Sequence, residues 1–253
     1  MGSTTELIRQ IIGGPSDFGI GWLIILMASI IAILIFIFNV AVWSINKFRE
    51  RSRFLETISR LDTGAHITYF MSLLGNPISI NQNGIDQEYI FVSKYCYVQA
   101  CANPDGKVTL FSVTTRRANF NPGLKLQFRR PLGIRLGQTN FSQLGDDPKR
   151  KIFNGDHGGI TFYAEPYYFG YDGSYRTYFF SFNPNGYGKL PAVPLSFVRS
   201  DIFEDPEDIK RFRQKTIVNT YTVSSFAGPD GHKEVDDSVV FGPDYFQVRV
   251  FSN

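Results

Sequence analysis

Residues 20–42 form one apolar run, and no charged residue occurs between Phe18 and Asn46. A helix rises about 1.5 Å per residue, so about 20 apolar residues cross a hydrocarbon core roughly 30 Å thick. Trp22 and Trp43 bracket the run, and indoles favour the two membrane–water interfaces. The pattern predicts a single transmembrane helix over residues 20–46, behind a polar, Gly-rich lead at residues 1–19. The helix continues as a juxtamembrane stalk over residues 47–62. There Phe54, Leu55, Ile58 and Leu61 make one apolar stripe, and Arg49, Glu50, Arg53 and Glu56 face the other way.

Beyond Asp62-Thr63-Gly64 the pattern shortens. Ile67, Phe70, Met71 and Leu74 fall on one face of a second helix, which Gly75-Asn76-Pro77 should end. Aromatic and β-branched runs then predict strands at residues 89–92 and 95–101. A turn at Asn103-Pro-Asp-Gly106 and a return strand at 107–115 follow. Residues 163–182 are densely aromatic and read as a hairpin. Further on, Asp205-Pro206-Glu207-Asp208 is a helix start, with Lys210, Arg211, Arg213 and Lys215 suited to that helix's C-terminal end. Strands are expected at residues 216–226 and 245–251, with a turn at Gly228-Pro-Asp-Gly231.

The order recurs. Thr68, Phe70, Leu73 and Pro77 line up with Thr139, Phe141, Leu144 and Pro148 at a constant offset. Asn103-Pro-Asp-Gly106 lines up with Asn183-Pro-Asn-Gly186. The fold class expected is α+β: one N-terminal transmembrane helix, then a soluble domain of two related helix-plus-antiparallel-sheet units with a C-terminal β extension. The first unit covers residues 63–130, the second 131–190, and the C-terminal helix and β extension 191–253.

Composition adds bounds. The chain has 253 residues, 19% charged and 43% hydrophobic, so it is neither disordered nor wholly membrane-embedded. A net charge of +3 gives no argument for nucleic acid, and none is expected as a partner. Charge placement says more. Arg9 alone precedes the apolar run, whereas Lys47, Arg49, Arg51, Arg53 and Arg60 follow it. The positive-inside rule then places the N-terminus outside and the C-terminal domain in the cytoplasm, as in a bacterial inner-membrane protein. The same cations can meet anionic headgroups. A cleaved signal peptide fits less well: the run is long, Glu6 and Asp17 precede it, and no small-x-small site follows. Cys96 and Cys101 have an odd separation. In one strand they face opposite ways and cannot pair locally, so free thiols are expected.

Chemistry-bearing motifs are sparse. His66, His157 and His232 are far apart, and Cys96-x4-Cys101 lacks a partner pair, so no metal site is expected. No nucleophile elbow, P-loop or dinucleotide fingerprint occurs, and no cofactor is expected. Gly155-Asp156-His157-Gly158-Gly159 reads as an exposed turn. Glu165 lies in an aromatic setting, and a solvated edge-strand position is expected for it. Tyr163, Glu165, Tyr167, Tyr168, Tyr171, Tyr175 and Tyr178 are the candidate binding surface, because tyrosine joins contact area to a polar tip. The competing reading is a hairpin whose alternate rings fill a core, with Phe180 and Phe182 inward. Trp22, Trp43, Lys47, Arg49, Arg51 and Arg53 are the candidate membrane interface.

Gly64-Ala-His-Ile67-Thr, Leu73-Leu-Gly75-Asn-Pro77 and Asp105-Gly106-Lys107-Val108 resemble the small outer-membrane lipoprotein and β-lactamase-inhibitor-protein fold group. Leu136-Gly-Gln-Thr139-Asn-Phe141 and Tyr163-Ala-Glu165-Pro-Tyr167-Tyr-Phe-Gly170 resemble a family of bacterial single-pass membrane proteins. The fold-group resemblance implies short helices on one face of an antiparallel sheet and protein binding without catalysis. The chain departs from the lipoproteins in lacking a lipobox cysteine. The function expected is a membrane-anchored, non-catalytic binding or sensing module. Its partners are the lipid bilayer and a protein or small ligand, with a homo-oligomer left open. The alternative is a membrane-perturbing effector of a toxin or phage-defence system, triggered by a ligand or by oligomerisation.

Overall fold

The computed structural model describes residues 15–118, 120–125, 131–145, 153–157, 160–168, 176–187, 206–225 and 242–243. Residues 1–14 of the expected lead, the turn at 228–231 and the strand at 245–251 lie outside these residues, and residues 15–19 of that lead are already helical. The chain divides into two compact units, one ending at Phe54 and the other beginning at Leu55.

The first unit is helix α1, Pro15–Ile58, 44 residues long across the junction. Its apolar side chains from Trp22 to Trp43 are exposed along the helix. Among the described residues it is the one helix long and apolar enough to cross a membrane, by length and composition.

The second unit is α+β. Helix α2, Ile67–Leu74, starts where the His66 ring accepts from Thr68 N at 3.2 Å, and it ends at Gly75, whose φ of +86° suits glycine. Strands β1 (Ser79–Asn83), β2 (Asp86–Val92), β3 (Cys96–Ala102) and β4 (Val108–Thr115) follow as a meander. Strands β5 (Gly123–Lys125) and β6 (Pro131–Arg135) form a separate ribbon. After a 3-10 turn at Phe141–Leu144 come β7 (Phe153–His157), β8 (Ile160–Tyr168) and β9 (Thr177–Phe182). Helix α3 (Pro206–Lys215) and strand β10 (Thr220–Ser224) complete the described elements.

The main sheet has eight antiparallel strands in the order β1-β2-β3-β4-β10-β9-β8-β7. Two expectations change here. Strand β10, assigned to a C-terminal extension, lies in the middle of the sheet, between β4 and β9. Residues 155–157, read as an exposed turn, form part of β7 and pair with β8.

The entry into each half of the sheet is made alike. Ile67 N donates to Gly106 O at 2.8 Å and Val108 N to Ala65 O at 2.9 Å, either side of a His66–Lys107 bridge. Phe141 N donates to Thr216 O at 3.1 Å and Val218 N to Thr139 O at 2.8 Å, either side of an Asn140–Ile217 bridge. The two Asn-Pro-x-Gly turns also close alike, by Gly106 N to Asn103 O and Gly186 N to Asn183 O. After Gly106 the chain enters β4 directly. After Gly186 it reaches β10 only beyond α3.

Residues opposite each other across antiparallel strands share a face. One face carries Phe91, Val98, Phe111, Val113, Tyr221, Val223, Phe180 and Tyr163. The short helices reach this face: Phe70 meets Phe111 edge-on at 5.6 Å, and Phe141 and Phe212 meet Tyr163 at 4.8 and 4.7 Å. All these rings are buried. At about 3–5 kcal/mol for truncating a buried phenylalanine, this face dominates the stability of the domain.

Candidate functional site

Alternation along β8 puts Tyr163, Glu165 and Tyr167 on the apolar, helix-covered face. Glu165 is 1% exposed there, so the solvated edge position expected for it is not what the fold provides. Strand β8 has β9 on one side and β7 on the other. The carboxylate is matched by Arg213 from the last turn of α3, with Nε 2.7 Å from Oε1. Tyr163 donates to Oε1 at 2.6 Å and Tyr167 to Oε2 at 3.1 Å. Arg213 Nη2 also donates to the carbonyls of Phe141 (3.1 Å) and Gly145 (2.6 Å), at the two ends of the 3-10 turn. One charge pair therefore ties together β8, α3 and that turn.

Burial, then the neighbouring Glu165 carboxylate, pushes the Tyr163 hydroxyl well above its ordinary value. It acts as a neutral donor. With the carboxylate paired and its oxygens accepting hydrogen bonds, the arrangement works as a clamp. Arg213 appeared in the sequence only as a cation near a helix end. No local signal links it to a carboxylate 48 residues away.

The candidate binding surface is thus corrected in part. Tyr163, Glu165 and Tyr178 are buried, and Tyr167 is half-buried and edge-on to Phe180 at 5.1 Å. Burial also raises the Tyr178 hydroxyl. These residues fill the core, as do Phe180 and Phe182. Tyr168 ends β8, paired with Thr177. Tyr171 and Tyr175 lie outside the described residues.

The opposite face differs in chemistry. Ser112 and Thr114 of β4, Thr220, Thr222 and Ser224 of β10, and Thr177 and Ser181 of β9 lie on it, with Leu110 and Phe179 among them. Glu88 and Gln99 extend it across β2 and β3: Gln99 donates to Glu88, as does Asn81 at 3.1 Å, and Ser112 donates to Gln99 at 3.3 Å. Thr114 and Thr220 pair through their hydroxyls at 2.8 Å. This face was not among the expected sites. Its signal was the Ser/Thr alternation in β4 and β10, which reads from sequence as solvent-facing, yet these side chains are buried.

Cys96 and Cys101 form no disulfide and are buried in β3, on opposite faces. Burial pushes Cys96 up to about 12. Among the described residues no group of three or more His, Cys, Asp and Glu side chains is placed to hold a metal ion. On α1, Trp22 and Trp43 are exposed, and Lys47 Nζ lies 4.5 Å over the Trp43 ring. Arg49 and Arg53 are exposed and Arg51 is partly buried.

No known family matches the chain, and no curated protein does. Among solved structures the chain is similar to a cysteine-rich secretory protein from Staphylococcus aureus, with 9% identity and a TM-score of 0.34. The match covers 64% of this chain and 44% of that one. Likeness at that level carries neither fold nor function across.

Proposed function

We propose that the chain is a single-pass bacterial inner-membrane protein that presents a non-catalytic binding or sensing domain to the cytoplasm. The observation that carries this reading is the length of α1 whose apolar side chains have no protein around them. Leaving that many large apolar side chains in water would cost on the order of tens of kcal/mol, and a bilayer removes the cost. The indoles at either end and the cation over Trp43 suit an interface. The basic residues after the helix favour a cytoplasmic domain.

The candidate binding face in this reading is the hydroxyl- and amide-lined side of the sheet, whose buried donors and acceptors suit a polar ligand better than the ring-packed side does. The shared contacts at the two sheet entries support two related units. In this reading Ile67 corresponds to Phe141, three residues away from the Phe70–Phe141 match in the sequence, and β10 is counted as the last strand of the second unit.

Paired reporter fusions after Asn253, one active only inside and one only outside, test the orientation, and the mass of the carbonate-extracted chain tests the anchor. The expected outcome is an intact, membrane-retained chain with a cytoplasmic signal. A soluble, shortened chain with an external signal would make α1 a signal sequence and overturn the reading.

A further inference from the structure

We propose that β1 pairs with β1 of a second copy of this chain, antiparallel and about a twofold axis at Asn81. Among the described residues no strand lies beyond β1, which forms one edge of the main sheet. Its five residues, Ser79–Asn83, include no charge and no proline, the residues that ordinarily blunt an edge. An edge left in that state is a template for another strand.

The hairpin decides which main-chain groups face outward. Strands β1 and β2 close at Asn83 and Asp86 across the two-residue loop Gly84-Ile85. A loop of that length closes on a pair that exchanges both hydrogen bonds. Bonded pairs alternate with unbonded ones, so Asn81 and Asn83 bond inward to β2. Ile80 and Gln82 turn their N–H and C=O groups to the open edge. The long polar side chains leave that edge clear: Asn81 Nδ2 reaches back to Glu88 Oε2 at 3.1 Å, and Gln82 Nε2 folds onto Gly84 O at 2.8 Å.

A second copy matches this edge by symmetry. With Asn81 opposite Asn81, Ile80 of each copy meets Gln82 of the other, and about four main-chain hydrogen bonds form. The lack of charge lets the strand face itself without repulsion. The apolar side chains match too. Ile80 lies on the ring-packed face, opposite Tyr89, yet it is 54% exposed where Tyr89 is 7% exposed. The twofold axis brings the two Ile80 side chains into diagonal contact, at roughly 7 Å between Cβ atoms, and each covers the other. The interface is small, so the dimer is a transient one.

Cross-linking of the full chain in detergent tests this. Asn81→Cys places two thiols on the axis, where the Cα atoms of an unbonded antiparallel pair stand about 4.5 Å apart, within disulfide range. Mild oxidation should link that variant about tenfold or more faster than Ile85→Cys, whose position is 80% exposed but lies off the axis. Adding Ile80→Lys, at an exposed position, sets like charges at the axis and should cut the Asn81→Cys yield about tenfold. Equal rates at positions 81 and 85 would show random collision and overturn the pairing. Cross-linking that survives Ile80→Lys would put the contact elsewhere, on α1 for example, and overturn it as well. So would open-ended oligomers, which pair β1 with β7. The pairing does not rest on the membrane reading: were α1 a cleaved signal sequence, the shortened chain would still pair through β1.

Discussion

The two faces of one sheet are held by different physics. Val223 and Thr222 are neighbours on β10, and both are buried, at 4% and 0% exposure. Val223 faces rings and helices. Thr222 faces hydroxyls and amides. The apolar face gains from every square ångström removed from water and depends little on direction. The polar face gains only where donors and acceptors are matched, and a mismatch there costs more than a match contributes. The apolar side therefore sets stability, and the polar side is where an exchange of partners is cheap.

The largest effect is expected at the buried Glu165–Arg213 ion pair of the apolar face. Arg213→Met leaves Glu165 buried without its counter-charge and should cost about 3–5 kcal/mol in chemical denaturation. Adding Glu165→Gln should recover much of the loss. A cost below about 1 kcal/mol for Arg213→Met would mean that the clamp contributes little, and that the rings alone hold α3.

Exchanging chemistry between the faces is the next test. Val223→Thr puts a hydroxyl among rings and should cost about 1–3 kcal/mol. Thr222→Val removes one from the polar face and should cost about 1 kcal/mol. The reverse order, measured by the same denaturation, would break the distinction between the faces.

The most gradual effect is alkaline. Cys96, Tyr163, Tyr178 and Tyr221 all lie on the apolar side, and burial raises each of them. A folded group with a raised pKa keeps its proton longer than the same group unfolded. For Cys96 the stability is intact below its ordinary value of 9.0 and is lost as the pH rises toward about 12. The melting temperature should therefore fall between pH 9 and 11, and less steeply in Cys96→Ala. A flat profile would show that these groups titrate as if they were in water.

Legibility followed sequence distance. Helix α2 and its glycine end, the β3–β4 hairpin and its turn, and the start of α3 were all readable, because each depends on contacts within a few residues. Glu165 was misplaced because its burial depends on Arg213, brought by α3, and on a strand neighbour, β7. The tyrosines of β8 and β9 were half legible: alternation showed that one set would be inward, and only the helices on that side decided which.

By itself the sequence determined the long apolar helix, the α+β class and the opposite-facing cysteines of β3, since hydropathy, period and parity act locally. The tertiary structure alone decided that β10 joins the two halves at the centre, that Arg213 finds Glu165, and that the Ser/Thr face is buried. Each of these closes a long loop. Loop closure costs nearly the same entropy for many partners, so only packing of the whole sheet selects among them.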